Sequence, residues 1–380
     1  MKPTYLIIVI FIFGSCNRTT KESKPLSHEI TTIDVNENDI IDSGKLSDVI
    51  SIDSLVFLEY TNESIIGEID KVIVSEEYIY IIDMESSKCI FCFDRKGNFI
   101  NSYKNVGRGP QEYIEIDDVS FFRNKLYVLA EPNQFFVLDK KLKFIESIEI
   151  KWNDEVPRVQ DNTKYFSVIN SDTILFYHPS ALYHYHLYSL TKEAFFSSHI
   201  KRLGTLDRSY YANLTKNTSD NIYLSRKYND TIYSVTNGQL IPEYYVYWEK
   251  PMTDKEIEER LKLTVYNSFN YPLPEKMYSI TSFIKNKEFI SFEFIFKRYR
   301  YYYFYNKKKS SVKIFKMNLE NDIIHGFYLN STIGHHQNSN ITWVDAAVLV
   351  ENKEEIAFSI PDDLTYDSNP ALVFYRPKFD

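Results

Sequence analysis

Glycine and proline are scarce: 10 Gly and 13 Pro in 380 residues exclude collagen-like and low-complexity classes. Three cysteines are too few for a disulfide scaffold. Positive charge is also short, with 44 Lys and Arg against 52 Asp and Glu, and a net charge of −8 excludes a general nucleic-acid binder. Beyond residue 13 no apolar run approaches the roughly 18 residues that a transmembrane helix needs. What the chain does have is apolar and aromatic content. Hydrophobic residues make up 44%, enough for a large core, and the aromatic share of 16%, with 31 Tyr and 27 Phe, favours strands over helices.

The N-terminus reads as an address. Lys2 precedes the apolar run Leu6 to Phe13, which ends in Gly14-Ser15-Cys16. A positive start, a run too short to span a bilayer and small residues at its end describe a signal peptide. Phe13-Gly14-Ser15-Cys16 resembles a bacterial lipobox, with Phe13 in place of the usual aliphatic. Cys16 is therefore expected to be lipidated and to become the first mature residue. Residues 1–15 are read as the lipoprotein signal peptide and 16–44 as the lipidated cysteine and a flexible tether. The tether lacks a run of acids directly after Cys16, which favours the periplasmic face of the outer membrane.

Cys89 and Cys92 have C-x-x-C spacing, which invites a zinc or redox reading. Lys88 to Phe93 reads as a strand, however, and residues three apart on a strand point to opposite faces. Two separate buried thiols are expected, and neither a metal nor a cofactor is assigned.

The chain repeats itself. Ile79-Tyr-Ile-Ile-Asp83, then Cys89 to Asp94, a turn at Arg95-Lys-Gly97 and Asn98-Phe-Ile100 form a phrase. It recurs with markers at Leu126, Ile174, Ile222, Phe289 and Ile356, so the spacings are 47, 48, 48, 67 and 67 residues. Three or four short strands per period match a β-propeller blade. Six markers predict an all-β, six-bladed β-propeller over residues 45–380. The first long spacing contains a capping box, Thr253-Asp-Lys-Glu256, followed by Ile257, Leu261 and Val265 at helical intervals. This predicts one inserted helix at about 254–266. The polar stretch Asn318 to Asn340 is read as a long loop. The unpaired strand Ser54 to Tyr60 is expected to complete the last blade beside Ala371 to Tyr375, closing the ring and protecting its edges.

Ser64 to Lys71, Ile79 to Asp83, Phe93 to Ile100, Gly107-Arg-Gly-Pro-Gln-Glu-Tyr113, Asp230-Thr-Ile-Tyr233 and Asp367 to Tyr375 together resemble the six-bladed β-propeller lipoproteins of gut-type Gram-negative bacteria, relatives of NHL-repeat propellers. The resemblance covers residues 45–380 and departs from the family at Gln111, where Gly is usual, and at Tyr60. It implies an exported, lipid-anchored propeller and no particular reaction.

Gly107-Arg108-Gly109-Pro110 lacks the setting of a phosphate loop and reads as a tight crossing between blades one and two. Arg108 and Glu112 within it are the candidate ligand-binding or structural residues, expected either at the channel mouth or in a buried pair across blades. His184 and His186 share a strand face, as metal ligands would, but blade packing is the preferred reading. Asp117-Asp118 and Asp362-Asp363 are read as exposed turn acids, and Asp363 with Asp367 lacks a calcium-loop pattern. The mixture of bases and aromatics from Lys297 to Lys309 is read as a strand buried on both faces, with a lysine hairpin turn. The expected function is a binding or scaffolding module, a monomer touching the membrane only through its anchor and holding a glycan, peptide or protein partner. The alternative is a propeller lyase or hydrolase with its active site at the channel mouth.

Overall fold

The computed structural model describes residues 30–379, apart from 110, 132–133, 157–164, 205–206, 208–213, 217–220, 237, 264–274, 328 and 330–331. Six sheets of four or five strands follow one another around a ring, each with four antiparallel strands. Chain order begins with β1 (Thr31–Val35), β2 (Ile40–Ile41) and β3 (Ile50–Phe57). Blade 1 is β4 (Lys71–Val74), β5 (Tyr78–Asp83), β6 (Cys89–Asp94) and β7 (Phe99–Tyr103). Blade 2 is β8 (Glu115–Phe122), β9 (Lys125–Glu131), β10 (Gln134–Asp139) and β11 (Phe144–Ser147). Blade 3 is β12 (Tyr165–Val168), β13 (Thr173–Tyr177), β14 (Tyr183–Ser189) and β15 (Ala194–Lys201). Blade 4 is β16 (Leu214–Lys216), β17 (Ile222–Arg226), β18 (Asn229–Thr236) and β19 (Gln239–Trp248). Blade 5 is β20 (Tyr278–Lys285), β21 (Phe289–Phe296), β22 (Tyr299–Asn306) and β23 (Ser311–Lys316). Blade 6 is β24 (Gly334–His336), β25 (Ser339–Val344) and β26 (Ala371–Pro377), with β3 as its fourth strand.

The expected closure is present: β3 pairs antiparallel with β26, from Phe57 opposite Ala371 to Ile50 opposite Pro377. The first strand of each blade is innermost. The blades stack through apolar layers, which accounts for the aromatic content. Between blades 5 and 6 the layer includes Phe289, Tyr302, Phe304, Phe315 and Tyr375. Within blade 5, Phe292 and Tyr303 stack with centroids 4.5 Å apart and Phe294 and Tyr301 5.5 Å apart. The segment from Lys297 to Lys309 is thus a strand with buried tyrosines followed by a turn at 307–310.

Three boundaries differ from the sequence reading. The expected tether, 16–44, overlaps the folded body: β1 runs parallel to β19 on blade 4, and β2 runs parallel to β23 on blade 5. Ile33 and Val35 alternate inward there and are buried. The marker at Ile356 is not a strand. The second strand of blade 6 is β25, 50 residues after the start of β21 at Phe289. Ile356 and Ile360 are buried because they cap the core between blades 5 and 6, so their apolar spacing reflects packing rather than a ladder. The stretch read as a loop, Asn318 to Asn340, contains β24. A second helix, α2 (Ala346–Glu351), lies in the connection to β26, whereas α1 (Asp254–Leu261) is the expected insertion. Its capping box is formed, with Glu256 N–H donating to Thr253 Oγ1 at 3.3 Å and Thr253 N–H to Glu256 Oε2 at 2.8 Å. The expected extension of this helix toward residue 266 falls partly outside the described residues.

Candidate functional site: the central channel

The six innermost strands enclose an open axial cavity of about 1560 Å³. Every blade contributes to its wall, from Lys71 and Val74 of β4 through Ser120, Ser167, Thr215 and Ser282 to Gly334 of β24. The wall alternates short hydroxyls with apolar groups, and charge collects at the two mouths. At the end where the chain crosses between blades stand Asp70, Glu85, Lys88, Glu115 and Asp117. At the hairpin end stand Glu76, Glu77, Arg123, Lys140 and Lys287, with His335 and His336 of β24 below them. Lys88 pairs with Glu115 at 3.1 Å and Lys140 with Glu77 at 2.6 Å. Burial, together with the charges of Asp83 and Glu85, holds the Asp70 carboxyl above its ordinary value, and the charge of Asp70 in turn raises Glu68. Burial lowers His336, assisted by Arg95.

The pair Asp117-Asp118 is not a pair of exposed turn acids. Both lie on β8, where the register shifts between Ile116 and Asp118, and neighbours on a strand point to opposite faces. Asp117 lines the channel, while Asp118 is buried in its wall. One oxygen of Asp118 accepts from Lys71 Nζ at 2.7 Å, and the other from the backbone N–H of Phe166 at 2.8 Å. Lys71 Nζ also donates to the Val119 carbonyl at 2.7 Å. One carboxylate thereby joins the inner strands of blades 1, 2 and 3. The cue was present in the sequence, because Lys71, Asp118 and Phe166 lie 47 and 48 residues apart, one repeat each. Glu293 does similar work across blades 5 and 6, accepting from Thr332 N–H at 3.0 Å and facing Arg300 at 3.5 Å.

Neither Arg108 nor Glu112 lines the channel. Arg108 is exposed and joins no ion pair among the described residues. Glu112 folds back on its own loop and accepts from Gly109 N–H at 2.6 Å. A Cβ at Gly107 would lie 2.0 Å from the same carboxylate oxygen, so the bare glycine makes room for that fold-back. Gln111, standing where the resembling family has Gly, takes φ +67°, a conformation that glycine adopts freely. The interblade pair expected at this crossing lies instead at Lys71–Asp118. Pro110 and Cys16 lie outside the described residues.

His184 and His186 are buried away from the channel. His184 Nε2 lies 3.3 Å from Asp207, which also takes two bonds from Arg226 at 3.0 and 2.5 Å, tying the crossing to blades 3 and 4. Burial raises the Asp207 carboxyl, but the bonds from His184 and Arg226 outweigh it and leave it below its ordinary value. Both ring nitrogens of His186 are bonded, to Ser198 Oγ and to the Tyr183 carbonyl at 2.8 Å each. Asp207 and Arg226 carried no pattern in the sequence, since one lies in a crossing and the other ends a strand. Among the described residues no three His, Cys, Asp or Glu side chains converge as a metal site. Cys89 and Cys92 are unpaired and buried in different interblade layers, and burial pushes both thiols up to about 12. Asp362, Asp363 and Asp367 are exposed. No helix among the described residues is long and apolar enough to cross a membrane.

Comparison with known proteins agrees with this architecture. The profile of a family described as a domain of unknown function (DUF4934) matches residues 30–376. No curated protein matches the sequence significantly. A protein of Bacteroides fragilis, provisionally described as exported, superposes with a TM-score of 0.70 at 12% identity, covering 92% of this chain and 100% of that one. The extracellular domain of a one-component system of B. thetaiotaomicron gives a TM-score of 0.37 at 13% identity over 72% of this chain and 30% of that one. Virginiamycin B lyase of Staphylococcus aureus gives 0.35 at 10% identity over 70% and 74%. The first similarity carries the fold, and the last two are too slight to carry more.

Proposed function

The chain belongs to that family of domains of unknown function, and on this premise we propose that it is an exported, lipid-anchored binding module whose ligand enters the central channel. The observation that carries the reading is the axial cavity itself. It is open, about 1560 Å³ in volume and lined by all six blades, with hydroxyls on its wall and charges at its mouths. Ligand pockets are usually about 300–1,000 Å³ and bury most of a small ligand; this channel is larger and has room for one segment of a polymer. The rigid wall, pinned by Lys71–Asp118 and Glu293, supplies preorganisation, which limits the entropy lost on binding. Glycans and peptides are the ligand classes that hydroxyl and charged groups in such a wall serve.

Export rests on Lys2 and the apolar run, with the exported description of the B. fragilis protein in support, and anchoring rests on Cys16 alone. We place the module in the cell envelope, on the periplasmic face of the outer membrane. The mass of the N-terminal peptide from membrane-extracted protein tests the anchor: Cys16 as first residue with a diacylglyceryl adduct is expected, and an unmodified Cys16 overturns it. Array screening against oligosaccharides and peptides, with recovery of the bound compound, tests the function. The reading predicts a saturable ligand recovered unchanged, whereas a converted compound would make the channel an active site.

A further inference from the structure

We propose that the ligand of the channel is an extended peptide with a cationic end, and that the crossing mouth receives its ammonium or guanidinium group beside Asp70 and Glu85. The inference deepens the channel reading above and rests on it, choosing peptide over neutral glycan.

The two mouths carry opposite charge. At the crossing mouth four carboxylates, those of Asp70, Glu85, Glu115 and Asp117, meet one ammonium group, that of Lys88. Glu115 holds Lys88 at 3.1 Å, and Lys71, the other base at this end, is spent on Asp118 at 2.7 Å. Glu85 is exposed and joins no ion pair among the described residues. The surplus already acts on Glu68, whose carboxyl the charge of Asp70 holds above its ordinary value. It is also built into the fold. Asp83, fully buried, accepts from the backbone N–H groups of Gly67, Glu68, Ser86 and Ser87, each at 2.9 Å. Asp70 accepts from Met84 N–H at 2.7 Å. These bonds tie the segment entering β4, which carries Asp70, to the loop after β5, which carries Glu85. The acids are therefore held in place before any ligand arrives.

At the hairpin mouth the sign reverses. Lys140 is taken by Glu77 at 2.6 Å. Arg123 and Lys287 have no acid partner within ion-pair distance among the described residues, and only Glu76 is left of the lining acids there. The lumen thus runs from negative to positive along its axis, and walls of low dielectric focus that field. A neutral sugar chain gains nothing from it. An extended peptide does, because its ammonium end or a basic side chain is drawn to the crossing mouth and its carboxylate end to the other. β8 and β20 have eight residues each, so the wall is at most about 26 Å deep and roughly eight residues of extended chain span it. A bare divalent metal fits less well. It needs several oxygens at one point, and no three His, Cys, Asp or Glu side chains among the described residues converge on one.

The test titrates membrane-extracted protein into three probes bearing the same uncharged dye and follows anisotropy. The first probe is an octapeptide of serine and glycine with two lysines at its N-terminus and an amidated C-terminus. The second is the same peptide with every amine acetylated, and the third is maltooctaose. The first is expected to bind at least about tenfold more tightly than either of the others. Asp70→Asn combined with Glu85→Gln is expected to weaken that binding about tenfold, with melting curves checking the fold. If the pair does not fold, Glu85→Gln alone, on an exposed side chain, is expected to weaken it about threefold. Asp363→Asn removes the same charge from an exposed site outside the channel and is expected to change nothing. No saturable binding of the first probe, equal affinity for the two peptides, tighter binding of maltooctaose, or an equal loss with Asp363→Asn overturns the proposal. Ser167→Trp, inside the lumen, separates this failure from failure of the channel reading. If it weakens both peptides while acetylation makes no difference, the channel stands and the cationic end is refuted. If it weakens none of the three probes, the channel reading falls and this proposal with it.

Discussion

At the scale of single residues, buried charge decides what holds the inner wall. Asp118 is sealed in the wall, bonded to Lys71 and to the backbone of blade 3, so its removal strands an ammonium group and an N–H at once. Asp118→Ala is expected to cost about 3 kcal/mol in urea unfolding, as for other broken buried pairs. Arg108→Ala, on an exposed side chain with no ion partner among the described residues, is expected to stay within about 0.5 kcal/mol of the parent. Equal losses for the two would contradict this assignment. His186 adds a dependence on pH. Burial lowers its folded value from 6.5 to about 4, so the unfolded chain takes up a proton first as pH falls. Its contribution is complete above 6.5 and disappears between 6.5 and 4, worth up to about 3 kcal/mol. The melting temperature should fall across that window, and His186→Gln should flatten part of the fall. His199 and His336, also lowered by burial, carry some of the rest. A pH-independent melting temperature between 7 and 4.5 would show that His186 is not held neutral.

At the scale of elements, ring closure depends on a close approach at one turn. Gly97, in the hairpin between β6 and β7, has φ +93°, and a Cβ there would lie 1.9 Å from the Phe57 carbonyl of β3. Its own carbonyl accepts from Glu59 N–H at 2.8 Å, which ties blade 1 to the closing strand of blade 6. Gly97→Ala therefore combines backbone strain with a steric conflict and is expected to cost about 2–3 kcal/mol. Melting unchanged to within a degree would sink the closure argument. The elements were legible wherever one local rule governed them. The 47- and 48-residue periods located the second strands of the first four blades, and the capping box located α1. β1, β2 and β24 were missed because they are five, two and three residues long, too short for alternation to stand out from polar surroundings. The false marker at Ile356 shows the converse, since an apolar spacing that serves packing can imitate a strand.

At the scale of the whole molecule, the ring explains both the aromatic composition and the placement of function. Six blades buried face to face leave the channel and the rim as the surfaces free for other contacts. The candidate site was only partly legible. Arg108 and Glu112 were chosen because they are charged and lie in a crossing, but the channel wall is built from residues one repeat apart, such as Lys71 and Asp118, whose conjunction appears only when blades are laid side by side. The central claim is that the ligand binds inside the channel. Ser167, on the innermost strand of blade 3, lines the cavity, and Ser167→Trp fills part of the lumen without touching either mouth. Calorimetric titration of an array-selected ligand into the parent and into Ser167→Trp tests the claim, with melting curves checking that the variant folds. An affinity loss of at least about tenfold, roughly 1.4 kcal/mol, is predicted for the folded variant, and equal affinity for both proteins would contradict the account.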